Sequence, residues 1–195
     1  MKQTFLKNIL LIDNNDSYTY NLLQLLKQNN CKTEIINHIE CSHINIQKYD
    51  GAIISPGPGK SSDYKEIFKF LKQNYKNIPI LGVCLGHQII GEFFGAEIFQ
   101  LQSVYHGIKN KLMILNKSNL FDNMNEIYVG HYHSWVVSKN NFPHSELTIT
   151  SLDENGLIMS FEHNLFPIFG VQFHPESYMT TKGNQIINNW LSLCK

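Results

Sequence analysis

Ile80-Leu81-Gly82-Val83-Cys84-Leu85-Gly86-His87-Gln88 is a short apolar run that stops at a cysteine framed by two glycines. The residues before the cysteine read as a buried strand, and Ile89, Ile90, Phe93 and Phe94 after it carry helical spacing. A Gly-x-Cys-x-Gly frame between strand and helix is the cysteine form of a nucleophile elbow, in which small residues let the two elements pack around a tight turn. The turn presents the sulfur at a helix N-terminus, where the macrodipole favours thiolate and the next backbone N–H can aim at a developing oxyanion. An isolated cysteine is more often a small buried hydrophobe, and only this frame sets Cys84 apart from Cys31, Cys41 and Cys194. Cys84-x-x-His87 has no second cysteine–histidine pair at finger spacing, so a zinc site is not expected.

Further runs of the same kind lie at Ile9–Ile12, Ala52–Ile54 and Ile168–Phe173, each ending at Asp, Ser or His. Between the early ones stand helical patterns, Tyr20 to Leu26 and Ile67 to Leu71. Alternating strand and helix predicts an α/β fold, an open and mostly parallel sheet flanked by helices. From Gly107 to Phe161 the runs shorten (Leu112–Leu115, Tyr128–Val129, Leu147–Ile149, Leu157–Phe161), which predicts a smaller antiparallel strand region. Gly183 to Leu193 reads as a closing helix. With no internal repeat or linker, residues 1–195 are expected to form one domain.

Ligands of open α/β sheets gather at the carboxyl ends of the strands, so the residues ending the runs are the candidate site. His174-Pro175-Glu176 ends the last run. Positions i and i+2 of an extended segment share a side, which would let Glu176 orient the imidazole while His174 exchanges protons with a sulfur. Ser55-Pro56-Gly57-Pro58-Gly59 ends another run in a stiff loop where glycines let a ligand approach backbone N–H groups. Lys60 follows Gly59 directly, without the spacing of a phosphate-binding loop. Asp13-Asn14-Asn15-Asp16-Ser17 ends the first run; by itself it fits a phosphate-acceptor site or simply the N-cap of a helix starting near Tyr18.

Composition narrows the classes. Acidic and basic residues balance at 16 each, so no bulk field gathers nucleic acid or an anionic membrane. All the basic residues are lysines, which leaves no guanidinium fork for carboxylates. The apolar run at Ile9–Ile12 is too short for a signal peptide or membrane span, and the four cysteines lack paired spacing, so a reducing, cytoplasmic setting is expected.

With these residues assembled, the chain closely resembles the class I, or triad, glutamine amidotransferases, which have a flavodoxin-like fold. It is particularly similar to the small subunits of anthranilate synthase and aminodeoxychorismate synthase. The resemblance runs through Leu11–Leu22, Ser55–Gly59, Gly82–Gln88, His106-Gly107, Tyr132-His133-Ser134 and Gly170–Ser177. It implies Cys84 as nucleophile, His174 as acid–base and Glu176 as orienter. Gly57, Pro58, Gly59, Gln88, Ser134 and Trp135 would contact L-glutamine, and the N–H of Leu85 with one near Gly57 would form the oxyanion hole.

The same resemblance implies a thioester mechanism with no metal or organic cofactor in this subunit. It also implies a chorismate-binding synthase partner that carries Mg²⁺, and it places Asp13, Asn14, Asp16 and Ser17 on the partner face. Because only a helix is expected after Glu176, ammonia would be used on that partner. The family usually has leucine at the place of Trp135, an aromatic or small residue at Asn15, a basic residue at Ile108 and often arginine at His131.

Overall fold

A computed structural model describes residues 6–195, apart from the side chains of residues 103 and 104. Strands β1 (Asn8–Asp13), β2 (Lys32–Asn37), β3 (Gly51–Ile54), β4 (Ile80–Val83) and β10 (Ile168–Val171) lie parallel in the order β2-β1-β3-β4-β10. Beyond β10 the sheet continues antiparallel through β9 (Ile158–His163), β8 (Leu147–Leu152) and β6 (Met113–Ile114). Strands β5 (Ile98–Lys111) and β7 (Tyr128–Val137) form a separate antiparallel ribbon.

Continuous apolar runs arise because both faces of the central strands are covered. Along a strand, side chains alternate between faces. Leu10, Ile12, Ala52, Ile54 and Ile80 pack on one side, with Ile67 and Phe70 of α2 (Lys65–Asn74) and Ile89 and Ile90 of α3 (Leu85–Phe93). Ile9, Leu11, Ile53, Leu81 and Val83 pack on the other, with Leu22 and Leu26 of α1 (Tyr18–Gln28) and Ile186, Ile187 and Trp190 of α4 (Gly183–Leu191).

Three sequence expectations change. The antiparallel region does not start at Gly107; β5 begins at Ile98 and runs for 14 residues. Its Gln, His and Lys residues hide the strand because the ribbon exposes much of its surface. Gly107, at φ 67°, sits where the β5–β7 register shifts, a bulge with glycine in its usual left-handed role. Strand β2 was not expected either, since Lys-Thr-Glu-Ile-Ile-Asn forms a sheet edge with only Ile36 buried. Finally, β10 stops at Val171, so His174 and Glu176 lie beyond the strand.

Candidate active site

The elbow between β4 and α3 is strained at its centre. Cys84 has φ 52° and ψ −100°, a conformation L-residues rarely adopt, and such strain costs on the order of 1–3 kcal/mol. It persists because the surroundings leave no other path. A Cβ on Gly82 would collide with the backbone of Gly86, and one on Gly86 with the carbonyl of Ile54, so strand, turn and helix touch backbone to backbone. The Cys84 N–H donates to the Val171 carbonyl at 2.8 Å and its own carbonyl accepts from Gln88 N at 3.1 Å. Cys84 is 6% exposed, so its sulfur meets a cavity instead of open solvent.

His174 and Glu176 meet across a turn. The Ser177 N–H donates to the His174 carbonyl at 3.2 Å, with Pro175 at the second position, where its fixed φ suits a tight turn. The strand-alternation geometry expected from spacing is therefore replaced, though the result is the same pairing: His174 Nδ1 lies 2.6 Å from Glu176 Oε1. Both side chains are almost wholly buried. Burial opposes a charge on the imidazole, but the Glu176 carboxylate and the Cys84 sulfur outweigh it and hold His174 well above the usual histidine range. Its Nε2 makes no conventional hydrogen bond, and the neighbour acting on it is that sulfur. Tyr18 and Tyr132 set their rings edge-on to the imidazole, at 4.9 and 5.2 Å between centroids.

Gln172 is a participant that spacing alone did not single out. Fully buried, it donates from Nε2 to the Cys84 sulfur at 3.6 Å and accepts from Gln88 Nε2 at 3.2 Å. Gln88 Nε2 also donates to the Trp135 carbonyl at 2.7 Å, so both of its amide protons are committed and Oε1 remains to offer a ligand. The available signal was that Gln172 lies two residues before His174 in the same polar-ended run.

One cavity of about 280 Å³ collects the residues read from scattered segments. Cys84, Leu85 and Gln88 line it from the elbow, Gly57, Pro58 and Gly59 from the loop, and Ser134 and Trp135 from the end of β7. Tyr132 and His133 join them, as does Asp16. Gly57 is held against Leu85 and Asn14, where a Cβ would approach within 2.6 Å. The Leu85 N–H is the first of α3 and has no intrahelical acceptor. Glu176 instead lines a neighbouring cavity with Tyr18, Asn21, Tyr132 and Tyr178.

The acidic segment after β1 divides its work. Asp13 Oδ1 accepts from Asn15 N at 3.0 Å and Thr19 Oγ1 at 2.7 Å, and Asp16 Oδ1 accepts from Tyr18 N at 2.8 Å. Ser17 stands at the N-cap position but makes no capping bond. Asn14 is fully buried and donates to the Ser55 carbonyl at 2.7 Å, so its side chain is part of the scaffold and not of an outer face. Asn15 takes φ 61°, which asparagine tolerates better than most residues.

Three more histidines crowd the site. His131 is fully buried, its Nδ1 3.1 Å from His133 Nε2, so it belongs to the interior. Burial pushes His131 down to about 4 and His133 to about 3, with His131, His174 and His87 adding to the effect on His133. His87, stacked on Phe161 at 4.4 Å, is likewise pushed by burial to about 3. Among the described residues, no group of three or more His, Cys, Asp or Glu side chains is arranged to hold a metal ion.

Residues 10–193 match the family model described as glutamine amidotransferase class-I. The chain is 42% identical to anthranilate synthase component 2 of Cyanophora paradoxa, over 94% of this chain and 98% of that protein. It is 40% identical to a Haemophilus influenzae protein assigned as anthranilate synthase component II, over 95% and 96%. A solved structure from Thermoplasma acidophilum, assigned as one of the subunits of a GMP synthase, superposes with a TM-score of 0.86 at 26% identity, over 97% of this chain and 94% of that one.

The chain therefore belongs to the class I glutamine amidotransferases. Within that family, its full-length relatives group it with the component II type of anthranilate synthase.

Proposed function

We propose that this chain hydrolyses L-glutamine through a thioester on Cys84 and passes the ammonia to a chorismate-aminating synthase subunit. The observation carrying this reading is that the strained elbow sulfur lines a cavity of amino-acid size and has as its neighbour the imidazole of His174, itself held against the buried carboxylate of Glu176.

The Cys84 thiolate attacks the side-chain amide carbon, and the resulting oxyanion is met by the Leu85 N–H and the Gly57 loop. His174 gives its proton to the departing nitrogen, ammonia leaves and the γ-glutamyl thioester remains. Water then adds with His174 as base, the C–S bond breaks, and glutamate departs. Glu176 keeps the imidazole oriented throughout and stabilises its charged form whenever it holds the proton.

The acceptor is a separate synthase chain that binds chorismate with Mg²⁺ and yields anthranilate, the product class named by the full-length relatives. The surface beside the Glu176 cavity suits docking, because Tyr178, which lines it, is 88% exposed. Asp13 and Ser17 lie in the segment leading into Tyr18, near the same cavity.

The test is affinity capture of the native synthase partner, followed by identification of the product from chorismate and glutamine. Anthranilate formation with stimulated glutamate release supports the reading; aminodeoxychorismate would reassign the pathway. Glutaminase activity equal with and without the partner would refute the coupling, and Cys84→Ser retaining hydrolysis would refute the chemistry.

A further inference from the structure

Two charged residues beside the Cys84 cavity have no part in the triad. Lys60 follows the glycine loop, and its Nζ sits 5.0 Å from the ring centroid of Trp135, itself a cavity wall. Asp16 lines the cavity directly, with only Oδ1 engaged, by the Tyr18 N–H. Neither residue belongs to an ion pair among the described residues.

A ligand that offers a side-chain amide to Cys84 carries both an α-carboxylate and an α-ammonium group at its other end. In a chain without arginine, a carboxylate can meet only a lysine ammonium, an imidazole or neutral donors. Lysine is a flexible point charge, and an indole face beneath it restricts where that charge sits. An unpaired cation held by a cavity wall and an unpaired carboxylate lining the same cavity complement a zwitterion.

We propose that Lys60 and Asp16 recognise the two α-charges of the amino-acid substrate, Lys60 taking the carboxylate and Asp16 the ammonium, with Trp135 positioning Lys60. The proposal rests on the glutaminase reading above and adds the residues that select its substrate. It also gives Trp135, the departure from the leucine usual in the family, a role at the cavity mouth.

The test uses the full chain and follows alkylation of Cys84 by iodoacetamide, an uncharged reagent, with each variant normalised to its own unprotected rate. Protection is titrated with L-glutamine, with its α-amide, which lacks the carboxylate, and with glutaramate, which lacks the ammonium. Lys60→Met should raise the half-protecting concentration of L-glutamine about tenfold, as expected for loss of one charge-assisted contact, and leave that of the α-amide unchanged. Lys60→Arg should retain protection. Asp16→Asn, which keeps an acceptor for Tyr18 N, should weaken L-glutamine similarly and leave glutaramate unchanged. Protection of wild type together with unaltered L-glutamine titrations in the Lys60→Met and Asp16→Asn variants would overturn the proposal alone, as would equal losses on glutamine and the matching analogue. Failure of L-glutamine to protect wild-type Cys84 would instead overturn the glutaminase reading, and this proposal with it.

Discussion

His174 Nδ1 lies 2.6 Å from Glu176 Oε1, and the two side chains are buried together across the turn at Pro175. With burial pulling the imidazole pKa down, the carboxylate comes first, ahead of the Cys84 sulfur, in holding it up. Glu176→Gln should therefore drop His174 below the ordinary histidine range. The Cys84 sulfur would lose its cationic neighbour, and alkylation of Cys84 at pH 7 should slow about tenfold. An unchanged rate–pH profile would show that the carboxylate only positions the ring. Because His174 is raised on folding, its stabilising contribution is complete below about pH 6.5 and is lost as pH rises through its folded value.

Cys84 stores backbone strain at φ 52°. Cys84→Gly should abolish glutamine hydrolysis yet stabilise the fold by about 1 kcal/mol, a rise of roughly 2–4 °C in Tm for a domain of this size. Cys84→Ser keeps the strain and should abolish activity without that rise. Calorimetry of the pair separates backbone relief from loss of the sulfur; equal Tm values would mean the elbow is unstrained.

Gly86→Ala places a methyl group into the carbonyl of Ile54, an immovable part of β3. Overpacking against backbone should cost about 3 kcal/mol, seen as a lower midpoint in urea unfolding. By contrast, Gly95→Ala has open space around its Cβ and pays only for φ 100°, so its loss should be smaller.

Acid should destabilise the chain earlier than carboxylate titration alone would. His87, His131 and His133 are neutral when folded, at about 3, 4 and 3, because burial disfavours their charge. Unfolded, each binds a proton below about pH 6.5, so the unfolded state takes up more protons and stability falls as pH drops toward 4. Each adds about 1.4 kcal/mol per pH unit to that slope, and His174 does not. Urea unfolding at pH 7.0 and 5.5 checks this, and His131→Asn should flatten the slope by one proton. A pH-independent midpoint across that interval would contradict the buried neutral state.

Much of the site was legible in the chain's local patterns. The apolar runs ending in Cys84, His174 and the Gly57–Gly59 loop are local signals, and a parallel sheet brings such strand ends to one edge. Less was legible where exposure or distance erased the pattern. Strand β5 carries polar residues on an exposed ribbon, and β2 is an edge strand with a single buried side chain. Asn14 sits in a polar motif that suggests a surface, yet its amide is sealed against Ser55.

The sequence by itself determined the alternation of strands and helices, the glycines that permit the elbow and the chemical identities of sulfur, imidazole and carboxylate, since these depend on sterics and bonding within a few residues. Only the tertiary structure decided that Gln172, 88 positions from Cys84, donates to its sulfur. It also decided that Lys60 rests on Trp135 and that four histidines share one interior. Contacts of that range are set by how the sheet twists and its loops pack. No local spacing encodes them, because the entropy lost in closing such long loops is recovered only when the whole core forms.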